Sequence, residues 1–182
     1  MSIHKINPDT TALIIGLGHT GLSIARYLHA NQQDFIILDT RSRPELLSRF
    51  HQEFPGKLFI SASLDHPIVK TSKYIILSPG ISLWEPNIAA AQQRGATITS
   101  DLILFIEALK QKLPDKKYLP IAAITGTNGK TTVTSMVTAM AQRQGYKAMM
   151  AGNIGLPVLA CLNTDMQDLY ILELSSFQLE AI

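Results

Sequence analysis

The sequence predicts an α/β protein that contains two successive parallel sheets, and two observations support this fold class. Short apolar runs rich in β-branched residues alternate with amphipathic segments along the 182 residues. Strands that are apolar on both faces belong to parallel sheets covered by helices. In addition, two of the runs lead directly into glycine-rich loops that precede helical segments. Such strand–loop–helix units are typical of nucleotide-binding α/β domains.

The first predicted domain covers residues 1–112. Strands are expected at 12–15, 35–38, 58–60, 74–77 and 96–99, and helices at about 20–31, 44–53, 86–94 and 100–112. The last of these helices begins with Ser100 and Asp101, which favour a helix N-terminus, and it carries apolar residues at helical spacing. The alternation predicts one doubly wound, Rossmann-like domain.

The second predicted domain covers residues 113–182 and follows a polar, proline-interrupted linker at 111–117. Its elements are expected to be a strand at 119–125, a helix at 130–144, a strand at 148–150, a helix at 156–162 and a strand at 169–174. Four methionines, Met136, Met140, Met149 and Met150, are expected in its core. Three strands alone would leave an open edge and an uncovered face, so we expect the N-terminal part of a larger, truncated domain.

Composition and charge exclude several functional classes. Lys plus Arg is 16 and Asp plus Glu is 14, for a net charge of +2, so we expect no nucleic-acid partner. No apolar run is long enough to cross a bilayer and no signal peptide is recognisable, so we expect a cytoplasmic protein without a membrane partner. The single cysteine, Cys161, excludes an internal disulfide and is expected to be buried. The five histidines are scattered, which argues against a structural metal site.

The strongest local motif is the segment 122–132, Ala-Ala-Ile-Thr-Gly-Thr-Asn-Gly-Lys-Thr-Thr. Backbone N–H groups in such a loop and at the start of the next helix bind phosphate oxygens. We expect Lys130 to reach the β- and γ-phosphates of a nucleotide, and the Thr131 hydroxyl to bind Mg²⁺. The first glycine of the common phosphate-loop pattern would fall at position 124, which is Ile124. The alternative is a glycine turn before an ordinary helix.

Glu173 ends the apolar run that begins at Leu169. Ligands of parallel sheets gather at the carboxyl ends of the strands, where the phosphate loop also lies. A carboxylate in that place can hold Mg²⁺ directly or through water. The alternative is an ordinary solvated glutamate at a strand end.

The first domain has its own glycine motif, Gly-Leu-Gly-His-Thr-Gly at 16–21, between a predicted strand and a predicted helix. Asp39 ends the next strand, at about the distance expected for an acid that binds a ribose. By itself this pattern predicts a dinucleotide site, although the glycines recognise a diphosphate whatever it carries. The turn Ser78-Pro79-Gly80 follows another strand at the same edge, and nearby Trp84 is expected either to stack on a base or to pack against the protein.

Together these motifs resemble the Mur ligase family, the ATP-dependent enzymes that add amino acids to peptidoglycan precursors. The phosphate loop and Gly-Asn-Ile-Gly at 152–155 match the family as a whole. The segments 16–23, 78–81 and 172–180 are most similar to the members that add D-glutamate. The resemblance extends over essentially the whole chain.

The resemblance implies a role for each of these segments. The first domain would bind the UDP part of a substrate through Gly18, His19, Thr20, Asp39, Thr40, Arg41, Ser78, Pro79 and Gly80. The phosphate loop would bind ATP through Gly126, Thr127, Asn128, Gly129, Lys130, Thr131 and Thr132. Lys130 and Glu173 would be catalytic, Thr131 would hold Mg²⁺, and Glu173 would bind a second Mg²⁺ near the transferred phosphoryl group. The muramoyl-alanine end of the substrate would face Asn153, Ser175 and Gln178.

The reaction implied by the resemblance has two steps. ATP phosphorylates the carboxylate of UDP-N-acetylmuramoyl-L-alanine, and the amine of D-glutamate then displaces phosphate from the acyl phosphate to form an amide. The protein is expected to be a monomer. Family members are much longer than this chain and carry further catalytic groups, so we expect the chain alone to have no ligase activity.

Three alternatives remain open at this level. A sister ligase that adds a different amino acid is the closest, because the domain that recognises the incoming amino acid is missing from this sequence. An NAD-dependent dehydrogenase would use the first glycine motif and Asp39, but it leaves Lys130 and Thr131 unexplained. A phosphate-loop nucleotide switch without catalysis would leave the first domain without a ligand.

Overall fold

The computed structural model describes residues 10–115 and 118–180, and residues 116 and 117 of the expected linker lie outside that range. Its contacts divide the chain into two units, Met1–Asp101 and Leu102–Ile182. The α/β class with parallel sheets is confirmed. The division falls after Asp101, at the start of the helix expected at 100–112, so most of that helix groups with the second unit and not with the first.

The first unit is a five-stranded parallel sheet with helices in the connections. In chain order its elements are β1 (Ala12–Ile15), α1 (His19–Ala30), β2 (Phe35–Asp39), α2 (Leu47–Glu53), β3 (Phe59–Ser61), α3 (Pro67–Thr71), β4 (Tyr74–Leu77), α4 (Pro86–Gln93) and β5 (Thr97–Ser100). The strand order is β3-β2-β1-β4-β5, and every pair is parallel. The order reverses between β1 and β4, which is where Rossmann-like domains bind their ligands.

Helix α3 is an element that the sequence analysis missed. It has only five residues, too few to show an apolar periodicity. The signal for it is local: Pro67 occupies the first turn, and the His66 Nδ1 atom accepts a hydrogen bond from the N–H of Ile68 at 3.2 Å. A proline in the first turn and a capping side chain before it are typical of a helix start.

Strands β1 and β4 are buried along their whole length, as expected of central parallel strands. On one side of the sheet, Phe54 packs its ring against Phe35 and Phe50, with ring centroids 5.5 and 5.7 Å apart. Burial of these strands holds the carboxyl ends of β1 and β4 side by side at the switch in strand order.

Helices α1 and α2 are joined at the surface by Glu53, which accepts hydrogen bonds from Arg26 and Arg49. The Arg26 Nε and Arg49 Nε atoms lie 2.7 and 2.8 Å from its carboxylate oxygens. Chiefly because of the hydrogen bond from Arg26, and also that from Arg49, the pKa of Glu53 is lowered from 4.5 to about 2.

This lowered pKa predicts a pH-dependent contribution of Glu53 to stability. The contribution is complete above the unfolded-state pKa of 4.5 and is lost as the pH falls from there towards 2, because the folded state then has to take up a proton. Since these groups are partly exposed to solvent, we expect Glu53→Gln to lower the free energy of unfolding by only about 1 kcal/mol at pH 7. Urea unfolding of both proteins between pH 7 and 3 measures the difference. A difference that stays constant over that range would contradict the assignment.

The second unit contains a three-stranded parallel sheet. Helix α5 (Asp101–Lys112) is followed by β6 (Ile121–Ile124), α6 (Lys130–Arg143), β7 (Ala148–Gly152), the 3₁₀ helix Val158–Asn163, β8 (Leu169–Glu173) and α7 (Ser176–Glu180). The strand order is β6-β8-β7. Central β8 is buried over its last four residues, and its Tyr170 ring lies edge-on to Phe105 of α5 with centroids 5.3 Å apart. That contact explains why most of α5 groups with the second unit.

Two details of the second unit differ from the sequence-based expectation. The helix expected at 156–162 is a 3₁₀ helix that begins after Pro157 and extends over Val158–Asn163. Met136 and Met140, expected in the core, are 59% and 64% exposed because they lie on the face of α6 turned away from the sheet. The helix presents the small polar residues Thr134 and Thr138 to the interior instead.

Candidate functional site

The loop between β1 and α1 is shaped by close contact between two glycines. A Cβ atom on Gly21, in the first turn of α1, would lie 1.9 Å from the carbonyl oxygen of Gly16. Only glycine therefore allows the helix to start so close to the end of the strand. Gly18 stands at the N-terminus of α1, and among the described residues no side chain caps that end. The N–H groups of this first turn are thus directed at the space beyond β1, where they can bind an anion.

Ser78 fixes the glycine loop from the neighbouring strand. Its N–H donates to the carbonyl oxygen of Ile15 at 3.0 Å, and its hydroxyl donates to the carbonyl oxygen of Gly16 at 3.0 Å. The side chain is 8% exposed. The serine that the resemblance assigns to substrate contact therefore also holds the loop in position.

The Asp39 carboxylate at the end of β2 is surrounded by donors. It accepts hydrogen bonds from the N–H of Leu17 at 2.7 Å and from the N–H of Arg41 at 2.8 Å. The Arg41 Nε and Nη2 atoms donate to it at 2.9 and 2.7 Å. Burial by itself would raise the pKa of Asp39, but the hydrogen bonds from Arg41 and Leu17 outweigh it, and the pKa is lowered. Four donors fill the acceptor positions of a carboxylate.

The expected UDP-contacting residues of the first unit line one cavity of about 290 Å³ at the carboxyl edge of its sheet. The nine are Gly18, His19, Thr20, Asp39, Thr40, Arg41, Ser78, Pro79 and Gly80. Three further residues, Ile15, Gly16 and Ile81, complete the lining. The structure thus brings these residues together, and their contact with a uridine nucleotide stays a prediction.

A larger cavity, of about 580 Å³, lies at the opposite edge of the same sheet, near the first residues of β4 and β5. Three cations line it: Lys73 directly precedes β4, and Lys70 and Arg94 lie at the C-terminal ends of α3 and α4, where Arg94 Nε donates to the carbonyl oxygen of Lys70 at 3.3 Å. Cations at such ends are accounted for by the helix dipole and the free carbonyls. Because parallel sheets bind ligands at their carboxyl edge, we place the functional site in the smaller cavity.

The second loop, residues 125–129, connects β6 to α6 and is exposed throughout. Gly129 stands at the N-terminus of α6 with a φ of 73°, in the left-handed region that glycine adopts without strain. In the described chain no side chain caps this end of the helix either. Lys130 folds back over the loop, and its Nζ donates to the carbonyl oxygen of Gly126 at 2.7 Å. The loop is therefore open to solvent, with a lysine held over it.

Thr131 and Glu173 come together beside this loop. The Thr131 hydroxyl donates to Glu173 Oε2 at 2.8 Å, and Glu173 is 5% exposed. The pairing of β6 with β8 sets Ile124 opposite Glu173, which puts the carboxylate next to the loop. Hydroxyl and carboxylate oxygens are the ligands that Mg²⁺ prefers, so both side chains suit the Mg²⁺ binding expected of them. In the described part of the chain, no group of three or more His, Cys, Asp or Glu side chains forms a metal site.

Asn153, Ser175 and Gln178 have local partners. The N–H of Asn153 donates to the carbonyl oxygen of Glu173 at 2.9 Å. Ser175 and Gln178 form a capping box at the start of α7: the N–H of Ser175 donates to Gln178 Oε1 at 3.0 Å, and the N–H of Gln178 donates to Ser175 Oγ at 3.3 Å. The spacing Ser-x-x-Gln would have predicted this cap. Contact of the three residues with the substrate stays a prediction.

Leu17 is a site residue that the sequence analysis missed. Its contribution is its backbone N–H, which donates to Asp39, while its side chain is buried. Since the identity of the side chain does not determine this contact, the only available signal was its place between the first two glycines of the motif.

Two comparisons of sequence identify what the chain resembles. Residues 10–100 match the model of the "Mur ligase MurD-like, N-terminal domain", and residues 124–181 match the "Mur ligase middle domain". The chain is 39% identical over 170 residues to the UDP-N-acetylmuramoylalanine--D-glutamate ligase of Nitrosococcus oceani, and 44% identical over 170 residues to that of Legionella pneumophila. These alignments cover 93% and 92% of the chain. The chain spans 36% of the length of each of these two relatives.

A comparison of structures finds a pseudomurein peptide ligase type C from Methanothermus fervidus, with 22% identity and a TM-score of 0.46. That match covers 92% of this chain and 33% of the other. Separately, every helix in the described residues is too short or too polar to cross a membrane.

Proposed function

The chain belongs to the Mur ligase family, and on that basis we propose that it is the UDP-substrate-binding and ATP-binding part of a ligase that adds D-glutamate to UDP-N-acetylmuramoyl-L-alanine. The observation that carries the proposal is the pair of loops, one at the carboxyl edge of each parallel sheet, that present the uncapped N-terminus of a helix. Each is suited to a phosphorylated ligand. The choice of D-glutamate rests on the similarity to relatives of that name.

In the first unit, we assign the cavity to the UDP part of the substrate. The N–H groups at the start of α1 would bind the diphosphate, and Arg41, whose side chain is 58% exposed, would add positive charge. Asp39 would hold Arg41 and the glycine loop in place through the hydrogen bonds described above. The filled acceptor positions of Asp39 disfavour the dehydrogenase alternative, which needs that carboxylate to accept the ribose hydroxyls of NAD.

In the second unit, we assign the loop 125–129 to ATP, which is a substrate of the reaction. The first N–H groups of α6 and the ammonium of Lys130 would bind its phosphates once Lys130 leaves the carbonyl of Gly126. Thr131 and Glu173 would hold Mg²⁺, which supplies positive charge beside the transferred phosphoryl group.

The chemistry requires that two anions approach each other. The substrate carboxylate attacks the γ-phosphorus and ADP leaves, which gives an acyl phosphate. The amine of D-glutamate then attacks the acyl carbon, an amide forms, and inorganic phosphate leaves with the proton going to solvent. The role of Lys130 and the loop amides is to stabilise the negative charge that develops in the first step.

Phosphate release by a ligase of the relatives' full length, with this sequence as its N-terminal and middle part, tests the proposal. With ATP, Mg²⁺ and UDP-N-acetylmuramoyl-L-alanine, we expect release only when D-glutamate is added. L-Alanine, L-lysine and meso-diaminopimelate are the matched controls. Release with one of these instead of D-glutamate would identify a sister ligase and contradict the assignment of the amino acid. Absence of release with all four, together with saturable binding of NAD, would support the dehydrogenase.

A further inference from the structure

The exposed ring of Trp84 is unexplained by the fold. It is the only tryptophan of the chain, and it is 79% exposed. Its neighbour Leu83 packs against the core of the first unit, as does Ile81. The segment after β4 therefore turns its aliphatic side chains inwards and its largest apolar side chain into solvent. Tryptophan is among the side chains most enriched where a partner binds.

The backbone around Trp84 is held at both ends. Ser82 forms a turn, since its hydroxyl accepts from the N–H of Trp84 at 3.1 Å and its carbonyl oxygen accepts from the N–H of Glu85 at 3.2 Å. Glu85 then caps α4 by accepting from the N–H groups of Asn87 and Ile88 at 2.8 and 3.0 Å. The exposed indole thus projects from a hydrogen-bonded turn, which reduces the entropy lost when a ligand orders it.

This turn lies close to the cavity of the first unit. Gly80 and Ile81 line the cavity, and Trp84 follows three residues later, so its Cα lies at most about 11 Å from that of Ile81. The indole is therefore carried by the segment that continues directly from the lining of the cavity. The cavity itself, about 290 Å³, is at the low end of the ~300–1,000 Å³ typical of ligand sites. A nucleotide-sugar would therefore extend beyond it.

The strand order indicates which part of the ligand extends towards Trp84. In Rossmann-like domains the nucleoside lies over the second strand and the diphosphate at the start of the first helix. Here β2 and β4 lie on opposite sides of β1. A group attached to the far side of the diphosphate is then directed over the end of β4 and the turn that follows it.

We propose that Trp84 is a specificity-determining residue whose indole stacks on the sugar attached to the diphosphate of the bound nucleotide. The apolar face of a pyranose ring and the face of an indole are complementary surfaces, and the contact would bury a ring that is now in solvent. The inference rests on the proposed function, because it requires that the first unit binds a UDP-sugar.

Binding of two ligands to this chain tests the inference: UDP, which lacks the sugar, and UDP-N-acetylmuramoyl-L-alanine. We expect the emission of Trp84 to change with the sugar nucleotide and to change little with UDP. In calorimetry, Trp84→Ala should raise the Kd of the sugar nucleotide about three- to tenfold and leave the Kd of UDP unchanged. Trp84→Phe should recover most of the affinity.

Tyr146→Ala is the matched control, since it removes an exposed ring, 57% exposed, from the second unit. It should alter neither Kd. Equal weakening of both ligands by Trp84→Ala would overturn the inference, and so would the absence of any weakening. If UDP itself fails to bind the unmodified chain, the proposed function fails first, which distinguishes the two failures.

Discussion

Replacing Lys130 by alanine should lower kcat/KM for ATP-dependent phosphate release by about 10²–10³-fold in a ligase that carries this sequence at the relatives' full length. Lys130 is the lysine held over the loop 125–129, where its Nζ donates to the carbonyl oxygen of Gly126 at 2.7 Å. Without the positive charge of Lys130, less of the repulsion between the phosphates of ATP and the incoming carboxylate is neutralised. Because the interaction strengthens as charge develops, the main loss should be in kcat.

The matched control for this experiment is Lys112→Ala. Lys112 also donates from Nζ to a backbone carbonyl oxygen in the second unit, that of Leu162 at 2.8 Å. Lys112→Ala removes the same kind of hydrogen bond, but outside the phosphate loop. We expect wild-type kinetics from Lys112→Ala. An equal fall in both variants would show that Lys130 acts on stability and not on ATP.

Replacing Gly21 by alanine should destabilise the first unit by about 2–3 kcal/mol and abolish binding of the uridine nucleotide. The new Cβ atom would lie 1.9 Å from the carbonyl oxygen of Gly16, so the start of α1 must move away from β1. That movement displaces the N–H groups that are expected to bind the diphosphate. Urea unfolding measures the first effect and calorimetry with UDP the second.

Gly18→Ala, at the middle glycine of the same motif, is the matched control. A Cβ atom on Gly18 would have no heavy atom within 4 Å, and its φ of −105° suits any residue. We expect its free energy of unfolding to stay within about 0.5 kcal/mol of the wild-type value. If Gly21→Ala proves as stable as Gly18→Ala, the close contact between helix and strand is not what requires the glycine.

Most of the fold was predictable because its signals are local and repeated. The buried runs of β1 and β4 were recognisable from their unbroken apolar residues, and the structure places them at the centre of the sheet. Helix α3 was not recognisable in that way, because five residues do not cover two turns. Met136 and Met140 were wrongly predicted to be buried. Their hydrophobicity indicates that they can be buried, but it does not show which face of α6 meets the sheet.

The site was predictable in part, for a physical reason. Parallel strands bring their carboxyl ends to one edge, so residues as distant as Gly18 and Ser78 could be expected to lie together, and they line one cavity. The hydrogen-bond partners of the site residues were harder to predict from the sequence. Nothing in the motif shows that hydrogen bonds from Leu17 and Arg41 occupy the acceptor positions of the Asp39 carboxylate. These hydrogen bonds depend on how the loop folds over the strand.

We propose that the glycine motif of the first unit recognises a uridine diphosphate substrate and not a dinucleotide. Isothermal titration of this chain with UDP-N-acetylmuramoyl-L-alanine and, separately, with NAD tests it most directly. We predict saturable heat with the uridine compound and none with NAD. Saturable binding of NAD without binding of the uridine compound would contradict the account.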